Sequence, residues 1–253
     1  MTSDAFSLRG RTALVTGARR GIGAAIAAGY AAAGAELILM ARDAALEDTL
    51  EAIKENGGGE ATVVTADFAD PDAVEAAAVK LAAERRIDIL VNNAGTIRRA
   101  PAAETSAADW RHVIDVNLNS TWAVTRPVGS AMVDRGAGRI ITIASLLSFQ
   151  GGITVPAYTA SKHAVAGLTR ALANEWGPAG VQVNAIAPGY ISTDNTTGLR
   201  ADPARETAIR ERIPAGRWGR AEDVVGAAVF LASAAADYVN GHVLAVDGGW
   251  LAR

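Results

Sequence analysis

The 253 residues suffice for one large α/β core, and a hydrophobic half set against a charged fifth matches an ordinary globule. The formal net charge of −3, with no block of like charge, offers no basic face for nucleic acid and no polybasic patch for a membrane. The absence of cysteine excludes disulfides, thiolate nucleophiles and Cys-ligated metal, and it fits a reducing compartment.

The start, Met1-Thr2-Ser3-Asp4, is acidic and lacks a long apolar core, so no signal peptide is expected, and the apolar stretch 22–33 is too short to span a bilayer. A cytoplasmic protein is expected. From there, strand-like and helix-like runs alternate, the pattern of a parallel sheet with helices on both faces. Thr12–Thr16 reads as a strand, 17–23 as a turn, and an Ala-rich helix follows to about residue 33. Glu36–Ala41 is a second strand; a helix over 44–55 stops at Gly57-Gly58-Gly59, and 61–65 is a third strand. Pro71 opens another helix. A fourth strand, 87–91, runs into Asn92-Asn93-Ala94-Gly95, and Ser106 caps a helix bearing Trp110 and Val113. Strand 140–143 follows, then a helix from Pro156 to about Trp176, strand 181–187 and a short last strand, Val243–Val246. The fold class is α/β: a single-domain Rossmann fold over 1–253, with a doubly wound parallel sheet of about seven strands. Between 188 and 220 the pattern loosens, with one short helix near 205–212, and this reads as a substrate loop or lid at about 189–220.

The turn Thr16-Gly17-Ala18-Arg19-Arg20-Gly21-Ile22-Gly23 joins the first strand to the first helix. Glycines let the backbone approach a pyrophosphate, and the helix N-terminus favours the anion, so Gly17, Arg19, Arg20, Gly21, Ile22 and Gly23 form a candidate dinucleotide site. Arg42 follows the second strand, and with Arg20 it favours NADP(H) through the 2′-phosphate. Asp43 keeps NAD(H) as the alternative, since it either turns inward or neutralises Arg42. Asp67, beside Phe68, is placed to accept from the adenine amino group or else to cap the helix near Pro71. Asn93, Ala94 and Gly95 are small enough to let a backbone approach the ribose.

Tyr158 and Lys162 are four residues apart and share a face if Pro156 starts a helix. A fixed ammonium favours the phenolate and draws the phenol towards the working range. Ser145, after an apolar strand, can hold a carbonyl oxygen while the phenol donates to it. A Tyr-x-x-x-Lys pair alone equally fits a helix with an exposed lysine. Asn117 alone equally fits a polar kink in the helix after Trp110.

Taken together, the Thr16 to Gly23 turn, the Asn92 to Gly95 segment and the set Asn117, Ser145, Tyr158 and Lys162 resemble the short-chain dehydrogenase/reductase family. The resemblance implies that Tyr158 is the general acid or base, that Ser145 orients the reacting oxygen, and that Lys162 lowers the Tyr158 pKa and holds the nicotinamide ribose. It implies further that Asn117 fixes a water next to Lys162, that Pro188, Gly189, Ile191 and Thr193 line the nicotinamide side, and that the protein is a homotetramer. Segments 96–99, 147–152, 213–219 and 246–253 look like a branch of the family that interconverts ketone and secondary alcohol on small keto or hydroxy sugar acids, where NAD(H) is usual. Such a substrate calls for an arginine against its carboxylate. Arg98 is the first choice, with Arg99 and Arg217 behind it, and Gln150 is available for hydroxyls beside Ser145 and Tyr158. The alternatives are a carrier-linked 3-oxoacyl reductase, which would want a basic docking patch, and a non-catalytic nucleotide-binding regulator. His112, His163 and His242 form no metal spacing, so no metal is expected.

Overall fold

A computed structural model describes residues 3–253; Met1 and Thr2, where the signal-peptide reading begins, lie outside the described residues. Seven strands form one sheet: β1 (Thr12–Thr16), β2 (Glu36–Ala41), β3 (Thr62–Thr65), β4 (Ile89–Asn92), β5 (Gly138–Ile143), β6 (Val181–Pro188) and β7 (Val243–Val246). Their order is β3-β2-β1-β4-β5-β6-β7, and every pairing is parallel. The chain steps outward from β1 to β3, then returns to lay β4 on the other side of β1, with Val15 opposite both Leu39 and Val91. That reversal opens a crevice at the carboxyl ends of β1 and β4, where ligands of open α/β sheets bind.

The helices are α1 (Gly21–Ala32), α2 (Glu47–Glu55), α3 (Pro71–Glu84), α4 (Ala107–Ile114), α5 (Ser120–Arg135), α6 (Pro156–Trp176), α7 (Thr197–Arg200), α8 (Pro203–Arg212) and α9 (Val225–Ala232). Strand side chains alternate between two cores. Ala13, Val15, Leu37 and Leu39 pack under α1 and α9 with Ile26, Tyr30 and Leu231. Leu14, Ile38, Met40 and Leu90 pack under α3, α5 and α6 with Val74, Val128 and Leu172. Both faces are dry, which is why the strands read as unbroken apolar runs. Glycines set the closest approaches: Val225 fills the space beside Gly29 that a Cβ would take, and Trp176 does the same at Gly129. Tyr30 Oη donates to the Ala228 carbonyl at 3.0 Å, tying α1 to α9.

Three helices, α5, α7 and α9, have no counterpart in the sequence reading. The helix expected after Ser106 continues through a π-helical turn at Asp115–Asn119 into α5, which keeps Pro127 in its interior. Its buried stripe includes Ser120, Thr121, Thr125 and Gly129, so burial there does not follow apolar periodicity. α9 is an eight-residue apolar run that periodicity cannot assign, and docking on α1 makes it helical. Between 189 and 220 the structure forms α7 and α8 and bridges Ile191 to Gly219. Among the described residues no helix is long and apolar enough to cross a membrane.

Candidate active site

β1 ends at Thr16, which holds the glycine turn in place. Its hydroxyl accepts from the Asn93 and Ala94 amides (3.0 and 3.1 Å) and donates to the Val91 carbonyl. Asn93 Nδ2 returns two bonds, to the Thr16 and Gly17 carbonyls, both at 3.0 Å. Gly17 has φ +64°, and a Cβ there would lie 2.8 Å from Ala94 Cα. The turn is therefore a cradle walled by backbone. Arg20 stands at the N-cap of α1 and makes no side-chain cap, so the first amides of a twelve-residue helix point into the cradle without a capping side chain. Orphan donors, a helix dipole and the missing Cβ atoms fit a nucleotide pyrophosphate.

β5 ends at Ile143, and the chain enters a short turn in which Ser145 Oγ accepts from the Leu147 amide at 3.1 Å. Proline at the first position of α6 and hydrogen bonds from its neighbours fix the helix that follows. Ser148 Oγ donates to the Lys162 carbonyl at 2.6 Å, and Ser161 Oγ donates to the Tyr158 carbonyl at 2.8 Å. Asn117 lies buried in the π turn; it accepts from the Thr96 amide at 2.7 Å and donates to the Thr96 carbonyl and to Ser161 Oγ. It thus clasps the segment after β4 to the turn of α6 that bears Tyr158.

Lys162 is buried, with Nζ donating to the Ile143 carbonyl at 2.7 Å and lying 5.6 Å from the Tyr158 ring centre. Burial lowers its pKa to about 8, which leaves it mostly protonated at neutral pH. Burial also raises the Tyr158 phenol; a hydrogen bond with the Ser145 hydroxyl and the charge of Arg99 pull the other way. Lys162, to which the family resemblance assigns that lowering, holds its ammonium on the Ile143 carbonyl.

One cleft of about 430 Å³ joins the two halves. The glycine turn, with Gly17, Gly21, Ile22, Asn93, Ala94 and Gly95, forms one end; Ser145, Tyr158 and Lys162 form the floor; Pro188, Gly189, Ile191 and Thr193 form the far wall. The family model described as enoyl-(acyl carrier protein) reductase matches residues 17–251. The chain belongs to the short-chain dehydrogenase/reductase family. It is 57% identical over 250 residues to 2-dehydro-3-deoxy-D-gluconate 5-dehydrogenase of Bacillus subtilis, covering 99% of this chain and 98% of that one. A crystal structure from Beutenbergia cavernae, described as an NAD(P)-dependent gluconate 5-dehydrogenase with bound NADP at low occupancy, superposes with a TM-score of 0.96 at 59% identity, covering 98% of this chain and 100% of that one. A gluconate 5-dehydrogenase from Burkholderia cenocepacia in complex with NADP and tartrate superposes at 0.92 with 40% identity, covering 99% and 98%.

Several residues that the family pattern or the sequence singled out stand elsewhere. Arg98 turns away from the cleft, where Asp109 lies 3.6 Å from Nε and His112 is 3.5 Å from Nη2. Arg217 is held by both oxygens of Asp223, at 2.6 and 3.0 Å, outside the cleft walls. Gln150 does not line the cleft either. Arg42 is exposed and faces Asp43 at 3.6 Å, and Asp43 also takes Arg19 at 3.0 Å, so the carboxylate neutralises arginines here. Arg20 lines the cleft, paired with Asp194 at 2.5 Å. Asp67 is exposed and accepts from the Ala69 amide, while the cap of α3 is Asp70, which accepts from Ala73. The Phe68 side chain is buried in the core, and its carbonyl accepts from Ser120 Oγ at 2.8 Å. Sequence reasoning missed Thr16, whose place just before Gly17 was the available signal, and it ranked Arg99, which reaches the Asn195 carbonyl, behind Arg98.

Proposed function

We propose that this dehydrogenase interconverts a ketone and a secondary alcohol on a small sugar acid, with 2-dehydro-3-deoxy-D-gluconate and its 2,5-diketo form as the pair. The observation that carries the reading is that Ser145, Tyr158 and Lys162 share one cleft with the glycine turn. The names of the Bacillus and Burkholderia relatives, and the tartrate held by the latter, support an acid with hydroxyls as substrate. The nicotinamide nucleotide would be held by the Gly17, Gly21 and Asn93 to Gly95 backbone and, when bound, supplies the acceptor or donor of the hydride.

The chain's own residues handle the oxygen. Ser145 Oγ donates to the carbonyl and fixes its position. Tyr158 Oη gives a proton to that oxygen in reduction and takes one in oxidation; such general acid–base help is worth about 10²–10⁴-fold. Burial keeps the phenol protonated, which suits donation, and Ser145 and Arg99 oppose that shift when the proton must be accepted. Asn117 positions the α6 turn through Thr96 and Ser161.

Within this reading, Arg20 and Arg42 select NADP(H) over NAD(H), their carboxylate partners Asp194 and Asp43 giving way to a phosphate. The 1–253 chain acts as a single domain, and 189–220 is its substrate lid. The exposed Trp110 and Trp122 on α4 and α5 support packing into a homotetramer. The cysteine-free chain suits the cytoplasm. The family model's carrier-protein description keeps an acyl-carrier substrate as a second reading. Both are tested by assaying purified protein with NADP(H) and NAD(H) against keto-deoxy sugar acids, neutral sugars and acetoacetyl thioesters. Turnover of a sugar acid that Tyr158→Phe lowers by about 10²-fold or more is the expected outcome. Turnover confined to thioesters, or undiminished in Tyr158→Phe, removes the proposal.

A further inference from the structure

Arg19 and Arg20 are adjacent in the glycine turn and go opposite ways. Arg19 turns to the end of β2, where Asp43 takes it at 3.0 Å. Arg20 turns across the cleft and pairs with Asp194 at 2.5 Å. Asp194 belongs to the segment after β6, so this one ion pair spans from the glycine-turn end of the cleft to its far wall. Both partners line the cleft, and the two walls meet beside them: Thr193 Cγ2 lies 3.4 Å from where a Cβ on Gly21 would stand.

The segment that Arg20 grasps is braced as a unit. Thr196 Oγ1 donates towards the Ile191 and Thr193 carbonyls, at 2.8 and 2.9 Å, and accepts from the Thr193 amide at 3.1 Å. The Ser192 amide roots the unit on the Gly219 carbonyl at 2.8 Å. Arg99, from the segment after β4, donates to the Asn195 carbonyl at 3.0 Å. Neighbours Asp194 and Asn195 are thus tied to opposite sides of the cleft. The two ties differ in kind. Asn195 is held through its backbone, whereas Asp194 is held by charge alone, through two exposed side chains. An anion that enters the cleft can therefore take Arg20 from Asp194, and a guanidinium fork suits a phosphate.

We propose that Asp194 discriminates between the two nicotinamide nucleotides by contesting Arg20. This rests on the cofactor reading above. With NAD(H), which brings no 2′-phosphate, Arg20 stays on Asp194 and holds the 191–196 unit down over the cleft. With NADP(H), the 2′-phosphate must draw Arg20 off Asp194. The carboxylate that favours one nucleotide therefore opposes the other. Specificity is a difference of two affinities, and removing this charge should move them in opposite directions, which the loss of a merely structural contact would not do.

The test is a titration of purified protein with NADPH and with NADH, followed by the nucleotide's own fluorescence, so that binding is read without turnover. Asp194→Asn keeps the shape of the side chain and removes its charge. It should tighten NADPH and loosen NADH, each by up to about fivefold, the scale of an exposed ion pair. In an Arg20→Met background the same substitution should move neither dissociation constant, because no guanidinium is left to contest. No shift in either nucleotide overturns the proposal. So does an equal shift of the same sign in both, as if Arg20 answered to the pyrophosphate that they share, and so does a shift as large without Arg20 as with it. Wild type that binds neither nucleotide removes the oxidoreductase reading and the proposal together, whereas wild type that binds both, with a ratio that Asp194→Asn leaves unchanged, removes the proposal alone.

Discussion

Gly23→Ala places one methyl group where the glycine turn has no room for it. The new Cβ would collide with Asn93 Nδ2 and lie 2.5 Å from the Gly17 carbonyl oxygen. The oxygen is backbone, so relief must come from moving the turn or expelling the Asn93 amide. Overpacking of this kind costs about 1–3 kcal/mol. Loss of the two Asn93 Nδ2 bonds adds about 0.5–1.5 kcal/mol each. Replacing glycine inside α1 returns about 1 kcal/mol of helix propensity. The net is a destabilisation of roughly 1–5 kcal/mol, and a chain of this size loses about 2–4 °C of Tm per kcal/mol. Because the strain falls on the cradle, the KM for the nicotinamide cofactor should rise together with the fall in Tm. Gly167→Ala is the paired experiment. It lies on the exposed side of α6 with nothing within 4 Å of the new methyl, so it should gain up to about 1 kcal/mol. A fall in its Tm instead would show that this side of α6 is covered by another subunit. Thermal melts with and without NADP+, and cofactor KM values, decide the matter. A Gly23→Ala protein with wild-type Tm and wild-type cofactor KM would refute the steric reasoning.

Lys162 makes stability depend on pH with a definite sign. Its folded pKa, about 8, lies below its ordinary 10.5. Between those values the unfolded chain keeps a proton that the folded chain has released, so raising the pH favours the folded state. The Tm of wild type relative to Lys162→Met should therefore climb from about pH 8 to about 10.5, and a flat difference would show that burial does not depress the amine. Asp43→Asn frees Arg19 and Arg42 from their shared carboxylate. Such exposed pairs are worth at most about 1 kcal/mol, so the preference for NADP+ over NAD+ should rise by up to about fivefold. A shift towards NAD+ would mean that Asp43 serves some other purpose.

Much of this molecule follows from local rules that a sequence carries openly. Strands covered on both faces must be apolar along their whole length, so 12–16, 36–41 and 181–187 read as buried parallel strands. The glycine turn is legible because a backbone approach excludes Cβ atoms at fixed spacing, and Tyr158 and Lys162 because a helix brings residues four apart to one face. The helix cap is one residue-level assignment that local chemistry left open: Asp67 and Asp70 both precede α3, and only the backbone path gives the cap to Asp70.

What tertiary structure decided is the phase and the partners of side chains outside regular elements. Arg98 and Arg99 are adjacent and chemically alike, yet one is taken by Asp109 and the other reaches Asn195 beside the cleft. The segment that carries them is pinned at long range, by Asn117 at Thr96 and by the Thr154 carbonyl at the Ala100 amide, 2.9 Å away. Thr154 makes that bond from φ +62°, a conformation no composition rule would assign to threonine. Helices α5 and α9 likewise depend on what they rest against, α3 for one and α1 for the other. A one-residue change of phase costs almost nothing in local energy and turns a side chain to the opposite side, so only contacts from distant parts of the chain can choose between the two.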